Sequence, residues 1–208
     1  MLCPLCSSVA NHFYTKEHRE YYFCSGCFSV FLNTNGFLSK QAEKAHYECH
    51  NNDINDPKYQ QFAAPIVNNV LQDFTTKHRG LDFGSGTNSV IIKLLKDQHY
   101  KIEGFDPFFS KTTQLSEQSY NYITCCEVME HFHQPKKEFE LLRDLLIPGG
   151  KLYCMTDLFS ETSNFDTWYY KNDPTHVFFY HKKTIAWIAE HIGFSKYSID
   201  NRLIIFEK

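Results

Sequence analysis

The sequence lacks both an excess of positive charge and any long apolar run. It has 21 Lys and Arg against 24 Asp and Glu, a formal net charge of −3, which argues against a surface for nucleic acid or an anionic membrane. No apolar stretch approaches the roughly 20 residues of a membrane-spanning helix. The first residues, MLCPLCSS, have neither the basic start nor the apolar core of a secretory signal. We therefore expect a soluble, cytoplasmic protein.

Eight cysteines are many for a chain in which we expect no disulfide framework. Four of them form two C-x-x-C pairs with seventeen residues between the pairs. Each pair can present two thiolates from a tight turn, and four thiolates complete a tetrahedral, structural Zn²⁺ site with no open position. A redox C-x-x-C or unrelated free thiols are the alternatives, although a redox motif needs only one pair. The predicted metal ligands are Cys3, Cys6, Cys24 and Cys27.

The segment between the cysteine pairs, residues 12–23, alternates aromatic and polar side chains, which predicts a β-hairpin. With the cysteines, this pattern resembles a zinc ribbon over residues 1–45. A segment this short buries little apolar surface, so the metal would supply its folding energy. The remaining residues, 46–208, are long enough for one globular domain.

The stretch LDFGSGTNS, residues 81–89, is the centre of this second part. It is typical of a buried strand that ends in a glycine turn and is followed by a helix, an arrangement that holds the polar end of a small ligand. About twenty residues later a second apolar run ends in Asp106, which is placed to accept hydrogen bonds from a ribose. A dinucleotide fingerprint would have a third glycine where Ser89 stands, and a P-loop would need G-K-[ST].

The sequence of this turn, D-x-G-x-G at residues 82–86, resembles motif I of the class I S-adenosylmethionine-dependent methyltransferases. The resemblance implies that the turn contacts the methionine end of the cofactor, that Asp106 binds the ribose hydroxyls, and that the end of a later strand, residues 126–127, lies against the cofactor. The cofactor-binding residues implied in this way are Asp82, Phe83, Gly84, Ser85, Gly86, Asp106, Pro107, Cys126 and Glu127.

Three further stretches are similar to methyltransferases, and two of them to the group that contains ubiquinone-pathway and sugar methyltransferases. They are E-V-M-E-H at 127–131, L-I-P-G-G-K-L at 146–152 and D-P-T-H-V at 173–177. Such enzymes usually have a third strand and an adenine contact in the region that corresponds to residues 108–120. This chain has little room there, so we expect the third strand to be lost or rudimentary and leave the adenine contact unassigned.

The element pattern predicts an α/β fold with a doubly wound, Rossmann-like sheet, a C-terminal antiparallel hairpin and the small zinc ribbon. Gly193 ends the helix before that hairpin, and Asp200-Asn201 forms the turn between its two strands. The predicted strands are residues 80–83, 100–105, 121–126 and 151–156, the hairpin strands are 194–199 and 202–208, and the helices are 59–78, 87–97, 135–146 and 181–191.

These features together predict an S-adenosylmethionine-dependent methyltransferase with a small-molecule acceptor, such as a sugar or a cyclic metabolite. An O- or C-nucleophile has to lose a proton, and histidine is the usual base. His176 is the first candidate for the catalytic base and His131 the second, with Tyr180 and Asp157 as weaker options. The alternatives are an RNA methyltransferase that uses the ribbon, a non-catalytic binding module with this fold and, more distantly, a nicotinamide dehydrogenase. The acceptor and the oligomeric state stay open.

Overall fold

The computed structural model describes residues 1–49, 52–110, 119–160 and 162–208. These described residues form ten β-strands and five α-helices. In chain order they are β1 Asn11–Lys16, β2 Arg19–Phe23, β3 Val30–Leu32, α1 Lys40–Glu48, α2 Pro57–Asp73, β4 Arg79–Phe83, α3 Val90–Asp97, β5 Lys101–Phe105, β6 Tyr120–Cys126, α4 Pro135–Leu145, β7 Leu146–Met155, β8 Phe178–Phe179, α5 Lys182–Ile188, β9 Lys196–Asp200 and β10 Leu203–Glu207.

Six strands form the central sheet in the order β5-β4-β6-β7-β10-β9. The first four run parallel, whereas β10 is antiparallel to both β7 and β9. Side chains alternate between the two faces, so that buried Tyr122 of β6 packs in the cluster with α2 and α3, and buried Ile123 in the cluster with α4 and α5. Helices on both faces of a mostly parallel sheet, with a C-terminal antiparallel hairpin, confirm the predicted fold class.

The four N-terminal cysteines lie beside a second sheet, with strand order β1-β2-β3-β8. The predicted hairpin is present as β1 and β2. The fourth strand, β8, comes from the far end of the chain, where Phe178 and Phe179 pair with Phe31 and Val30 of β3. One hydrophobic cluster runs from Leu5 through this sheet to α4 and α5. The N-terminal unit therefore shares its core with one face of the central sheet.

Several element boundaries differ from those predicted. Helix α2 ends at Asp73, five residues early, because Phe74 is extended and the Thr75 N–H donates to the His78 ring 2.9 Å away. Helix α3 begins at Val90 and not at residue 87, because the Ser89 hydroxyl caps it by accepting from the Ile92 N–H. The glycine turn is therefore longer than expected.

The prediction for the third strand falls partly on residues 111–118, which lie outside the described residues. Among the residues that are described, β5 forms the edge of the central sheet. No helix in the described part of the chain has the length and apolarity needed to cross a membrane.

Candidate active site

A pocket of about 1220 Å³ opens where the parallel strands β4, β5 and β6 end. The last residues of these strands, Phe83, Phe105 and Cys126, all line it. The chain leaves β4 toward β5 on one side, and β6 lies on the other side of β4. Such a switch point at the carboxyl edge of the sheet is where doubly wound folds bind ligands. The position and the size both suit a ligand larger than a single metabolite ring.

The glycine turn forms the floor of this pocket. Gly84 and Gly86 have φ angles of +76° and +58°, which side chains disfavour. The N–H groups of Gly84 and Ser85 both donate to the carbonyl oxygen of Phe105, at 2.8 and 3.2 Å. Because a Cβ atom on Gly84 would lie 2.4 Å from Val128 Cγ2, the turn is held closely against the loop after β6.

Asp106 connects the ends of β4 and β5. Its Oδ2 accepts from the Gly86 N–H at 2.9 Å, and its Oδ1 accepts from the N–H groups of Phe108 and Phe109 at 2.8 and 3.2 Å. A carboxylate has about four acceptor positions. Three backbone N–H groups occupy three of these positions, which leaves about one free. A ribose diol that donates two hydrogen bonds would use this position and share a second one with a backbone N–H. Asp106 and Pro107 both line the pocket, and the ribose contact itself stays a prediction.

Asp82 differs from the other implied cofactor residues, because it lies behind the turn. It is 3% exposed and outside the pocket lining, whereas Phe83, Gly84, Ser85 and Gly86 all belong to that lining. Its Oδ1 accepts from the Thr124 hydroxyl at 2.5 Å. Burial raises the pKa of Asp82 to about 6, and the nearby Asp106 charge adds to the rise. Asp82 therefore supports the turn and can act on a ligand only through its charge.

Replacement of this carboxyl by an amide, Asp82→Asn, should stabilise the protein at pH 7.5. The folded pKa of about 6 lies above the ordinary value of 3.8, so ionisation of Asp82 destabilises the folded state progressively from pH 3.8 upward, and the penalty is complete above pH 6. This penalty disappears as the pH falls below 3.8. The pKa shift corresponds to at most about 3 kcal/mol of stability. We expect the free energy of unfolding to rise by about 1–2 kcal/mol at pH 7.5 and by about half of that at pH 5. Urea denaturation at both pH values measures it, and a variant less stable than wild type at pH 7.5 would contradict it.

The pocket lining also includes His131 and His176, the two predicted bases. The rings lie 4.8 Å apart. His131 Nδ1 bonds to the carbonyl of Thr175 at 3.1 Å, and His176 Nδ1 bonds to the carbonyl of Tyr170 at 2.6 Å. A carbonyl only accepts, so both Nδ1 atoms carry protons and both Nε2 atoms of the neutral rings have lone pairs.

Burial lowers the pKa of both histidines, and it lowers that of His176 to about 3 with a further contribution from His131. Both rings are therefore neutral at physiological pH. An imidazole whose conjugate acid has so low a pKa is a weak proton acceptor at neutral pH. A role as simple general base for His176 stays a prediction, and the surroundings of the ring disfavour it.

Glu130 lies directly behind the two histidines and is fully buried. Its Oε1 accepts from the Tyr170 hydroxyl at 2.5 Å, and its Oε2 accepts from the Thr156 hydroxyl at 3.1 Å. Burial raises the pKa of Glu130 to about 7. Local sequence patterns gave no sign that Tyr170 and Thr156 would hold this carboxyl, because both come from later segments of the chain.

Glu127 occupies the end of β6, as predicted for a residue against the cofactor, and lines the pocket with Cys126. Its Oε2 accepts from Arg202 Nη2 at 2.5 Å and lies 3.1 Å from the hydroxyl oxygen of Tyr170, whose proton is donated to Glu130. Burial raises the pKa of Glu127 to about 7 in spite of this guanidinium, with a smaller contribution from Glu130. Among the described residues, its Oε1 is buried without a hydrogen-bond partner, so a further donor could bind there.

Helix α1, which follows the N-terminal sheet, also contributes to the pocket. Lys40, Glu43 and Tyr47 line the pocket. The Tyr47 hydroxyl donates to Glu43 Oε1 at 2.9 Å, and the ring meets His131 edge-on at 5.4 Å. The N-terminal part of the chain therefore helps to shape the site.

The four predicted metal ligands come together as expected, away from this pocket. The sulfur atoms of Cys3, Cys6, Cys24 and Cys27 all lie within 4.8 Å of one another. The Cys3–Cys27 and Cys6–Cys24 sulfur pairs are 3.6 and 3.3 Å apart, too far for disulfides. Sulfur atoms in a tetrahedral zinc site with bonds of about 2.3 Å are about 3.8 Å apart. The two short pairs would separate by about 0.2–0.5 Å around such an ion, and any pair near the 4.8 Å limit would approach by up to about 1 Å.

Comparisons with known proteins agree with the fold. No match was found among the curated proteins. A solved S-adenosylmethionine-dependent methyltransferase from Archaeoglobus fulgidus is similar, with 16% identity and a TM-score of 0.54 over 72% of this chain and 94% of its own. A 1,6-didemethyltoxoflavin N1-methyltransferase from Burkholderia thailandensis, solved with its substrate and S-adenosylhomocysteine, has 11% identity and a TM-score of 0.58 over 96% and 99%.

Human N-acetylserotonin methyltransferase, solved with S-adenosylmethionine, shares 15% identity and a TM-score of 0.56 over 84% of this chain and 61% of its own. At these identities the likeness shows a common fold. Residues 56–199 also match the model of a family described as a methyltransferase domain. Since that segment is well over half of the 208 residues, the chain belongs to this methyltransferase-domain family.

Proposed function

We propose that the protein transfers the methyl group of S-adenosylmethionine to a small-molecule acceptor. The observation that carries this proposal is the bond between Asp106 Oδ2 and the Gly86 N–H, 2.9 Å long. It brings the glycine turn and the acidic strand end, which are far apart in the sequence, to one edge of one pocket. The turn would hold the methionine end of the cofactor, and Asp106 would bind the ribose.

The reaction requires alignment more than activation of the donor. A nucleophilic atom of the acceptor forms a bond to the methyl carbon, the carbon–sulfur bond breaks, and its electron pair returns to sulfur. S-adenosylhomocysteine then leaves. The protein has to hold donor and acceptor in line and to assist loss of a proton from an O–H acceptor. His176 and His131 are our candidates for contact with the acceptor, because both line the same pocket as the glycine turn.

A small acceptor that contains a ring, such as a sugar or a cyclic metabolite, suits this pocket best. The walls are rich in aromatic side chains, and helix α1 closes one side. The net charge of −3 offers no general attraction for RNA. The solved enzymes with bound toxoflavin precursor or named for N-acetylserotonin act on small cyclic compounds, which supports the same class of acceptor here.

We also propose that Cys3, Cys6, Cys24 and Cys27 bind a structural Zn²⁺ ion. Three of the four are at most 2% exposed. Four thiolates leave no coordination position for a substrate. The ion would hold the N-terminal sheet together and so keep α1 at the pocket.

Calorimetric titration of the zinc-loaded protein with S-adenosylhomocysteine tests the proposed cofactor site. We expect saturable binding by the wild type and at least tenfold weaker binding by Asp106→Ala, since a hydrogen bond to a charged group contributes about 1.5–3 kcal/mol. Asp97→Ala, at the exposed end of α3, should bind like wild type. Circular dichroism confirms that each variant is folded. Absence of binding by folded wild-type protein would contradict the proposed function.

A further inference from the structure

Three side chains at the acceptor wall bring electron-pair donors together away from the cysteine cluster. Glu130, His131 and His176 each place one ligand atom within 4.8 Å of the other two. Glu130 Oε1 is 3.9 Å from His131 Nε2 and 3.8 Å from His176 Nε2. These separations are too long for hydrogen bonds. The three groups therefore converge without bonding to one another.

The orientation of both rings is fixed from behind. Each Nδ1–H donates to a backbone carbonyl, of Thr175 in one case and of Tyr170 in the other. The two Nε2 atoms are thus left with lone pairs next to a carboxylate oxygen. In protein metal sites, the ligating histidine almost always donates its other N–H to such an acceptor, which sets the tautomer and aims the ring.

The carboxylate is held in the same way. The hydroxyls of Tyr170 and Thr156 donate to the two oxygens of Glu130, at 2.5 and 3.1 Å, and each oxygen keeps a further lone pair. Glu130 has no guanidinium or ammonium partner among the ion pairs of the described residues. Arg202 pairs with Glu127 instead. A bound cation would stabilise the ionised form of this fully buried carboxylate next to two imidazole lone pairs.

We propose that Glu130 Oε1, His131 Nε2 and His176 Nε2 bind a divalent transition-metal ion at the acceptor wall of the pocket. Two imidazoles and one carboxylate suit Zn²⁺, Mn²⁺, Fe²⁺ or Co²⁺, whereas Ca²⁺ and Mg²⁺ prefer oxygen ligands alone. With bonds of about 2.1 Å, ligand atoms in a tetrahedral site are about 3.4 Å apart. The two oxygen–nitrogen distances would contract by about 0.4–0.5 Å to reach this value. The remaining pair of ligand atoms, which lies within 4.8 Å, would approach by up to about 1.4 Å.

The open side of this site faces the acceptor space. His131 and His176 line the pocket, and Glu130 closes the site from behind. Three protein ligands leave at least one coordination position, as in catalytic metal sites. This step rests on the proposed methyl transfer: a metal ion here would bind an acceptor oxygen and lower the pKa of its hydroxyl. The hydroxyl proton would pass to solvent. The inference therefore narrows the acceptor to compounds with a hydroxyl group.

The test is calorimetric titration of the zinc-loaded, full-length protein with Co²⁺, together with the absorption spectrum of the bound ion. We expect one Co²⁺ per chain with a spectrum that lacks thiolate charge transfer. His176→Ala and Glu130→Gln should bind Co²⁺ at least about 100-fold more weakly, since loss of outer hydrogen-bond partners alone weakens metal binding 10–100-fold. His133→Ala is the matched control, because His133 lines the same pocket beside Glu43 but lies outside the cluster.

The outcomes separate this inference from the proposed function. No Co²⁺ beyond the zinc in wild type, or equal loss in the His133→Ala control, would overturn the metal site. Both ligand variants should keep their circular dichroism spectrum and their affinity for S-adenosylhomocysteine, so that a loss of Co²⁺ reports on the cluster itself. Co²⁺ binding by a protein that fails to bind S-adenosylhomocysteine would support the site and contradict only the methyltransferase proposal.

Discussion

Removal of zinc from the four cysteines should lower the Tm of the entire chain by about 10 °C or more. Structural zinc contributes about 10–16 kcal/mol in small zinc domains, which is as large as the about 5–15 kcal/mol stability of a typical domain. The loss of stability would extend to the central sheet, because β8 pairs with β3 and one hydrophobic core joins both sheets. A loss of about 5 kcal/mol shifts the Tm of a chain this long by about 10–20 °C. Differential scanning calorimetry with and without a zinc chelator measures the effect.

Cysteine variants give the matched comparison for this result. Cys24→Ser removes a fully buried ligand and should reproduce the effect of the chelator. Cys49→Ser changes an exposed cysteine after α1 and should leave the Tm within about 1 °C of wild type. Since α1 lines the pocket, the zinc-free protein should also bind S-adenosylhomocysteine more weakly. An unchanged Tm after complete zinc removal would show that the N-terminal sheet does not support the rest of the fold.

Local motifs allowed much of the fold and part of the site to be predicted. The glycine turn, Asp106 and the end of β6 line one pocket, because consecutive parallel strands end at one edge of the sheet, and their contacts with the cofactor stay a prediction. Asp82 shows the limit of this approach. It belongs to the same motif, yet it is inside β4 and bonds across to Thr124 of β6. Its position in the strand, before the turn begins, keeps it behind the pocket.

Contacts between distant segments could not be predicted from local patterns. Strand β8 has only two residues, and nothing in Phe178 or Phe179 indicates a partner near residue 30. The cluster of Glu130, His131 and His176 joins a turn after β6 to a segment more than forty residues later. Its geometry depends on the path of residues 162–180, whose aromatic side chains belong to the hydrophobic cluster that joins both sheets. Sequence reasoning therefore treated the two histidines as separate bases.

Alanine at position 84 should destabilise the protein by about 2–5 kcal/mol. Gly84 has a φ of +76°, which costs an alanine about 1–2 kcal/mol. The new Cβ would also lie 2.4 and 2.7 Å from the two Cγ atoms of Val128, and an overpacked core site costs about 1–3 kcal/mol. Urea denaturation of Gly84→Ala measures the sum of the two terms.

Two further variants separate the backbone strain from the steric clash. Gly86→Ala has a similar φ of +58° but no atom within 4 Å of its Cβ, so it should lose only the backbone contribution of about 1–2 kcal/mol. Val128→Ala in the Gly84→Ala background should recover about 1–3 kcal/mol relative to additivity, because the two side chains would otherwise collide. Equal losses at positions 84 and 86, with no recovery in the double variant, would show that the loop after β6 yields to the added methyl group. The turn would then be held by its hydrogen bonds to Phe105 and Asp106, and Val128 would not determine the shape of the pocket.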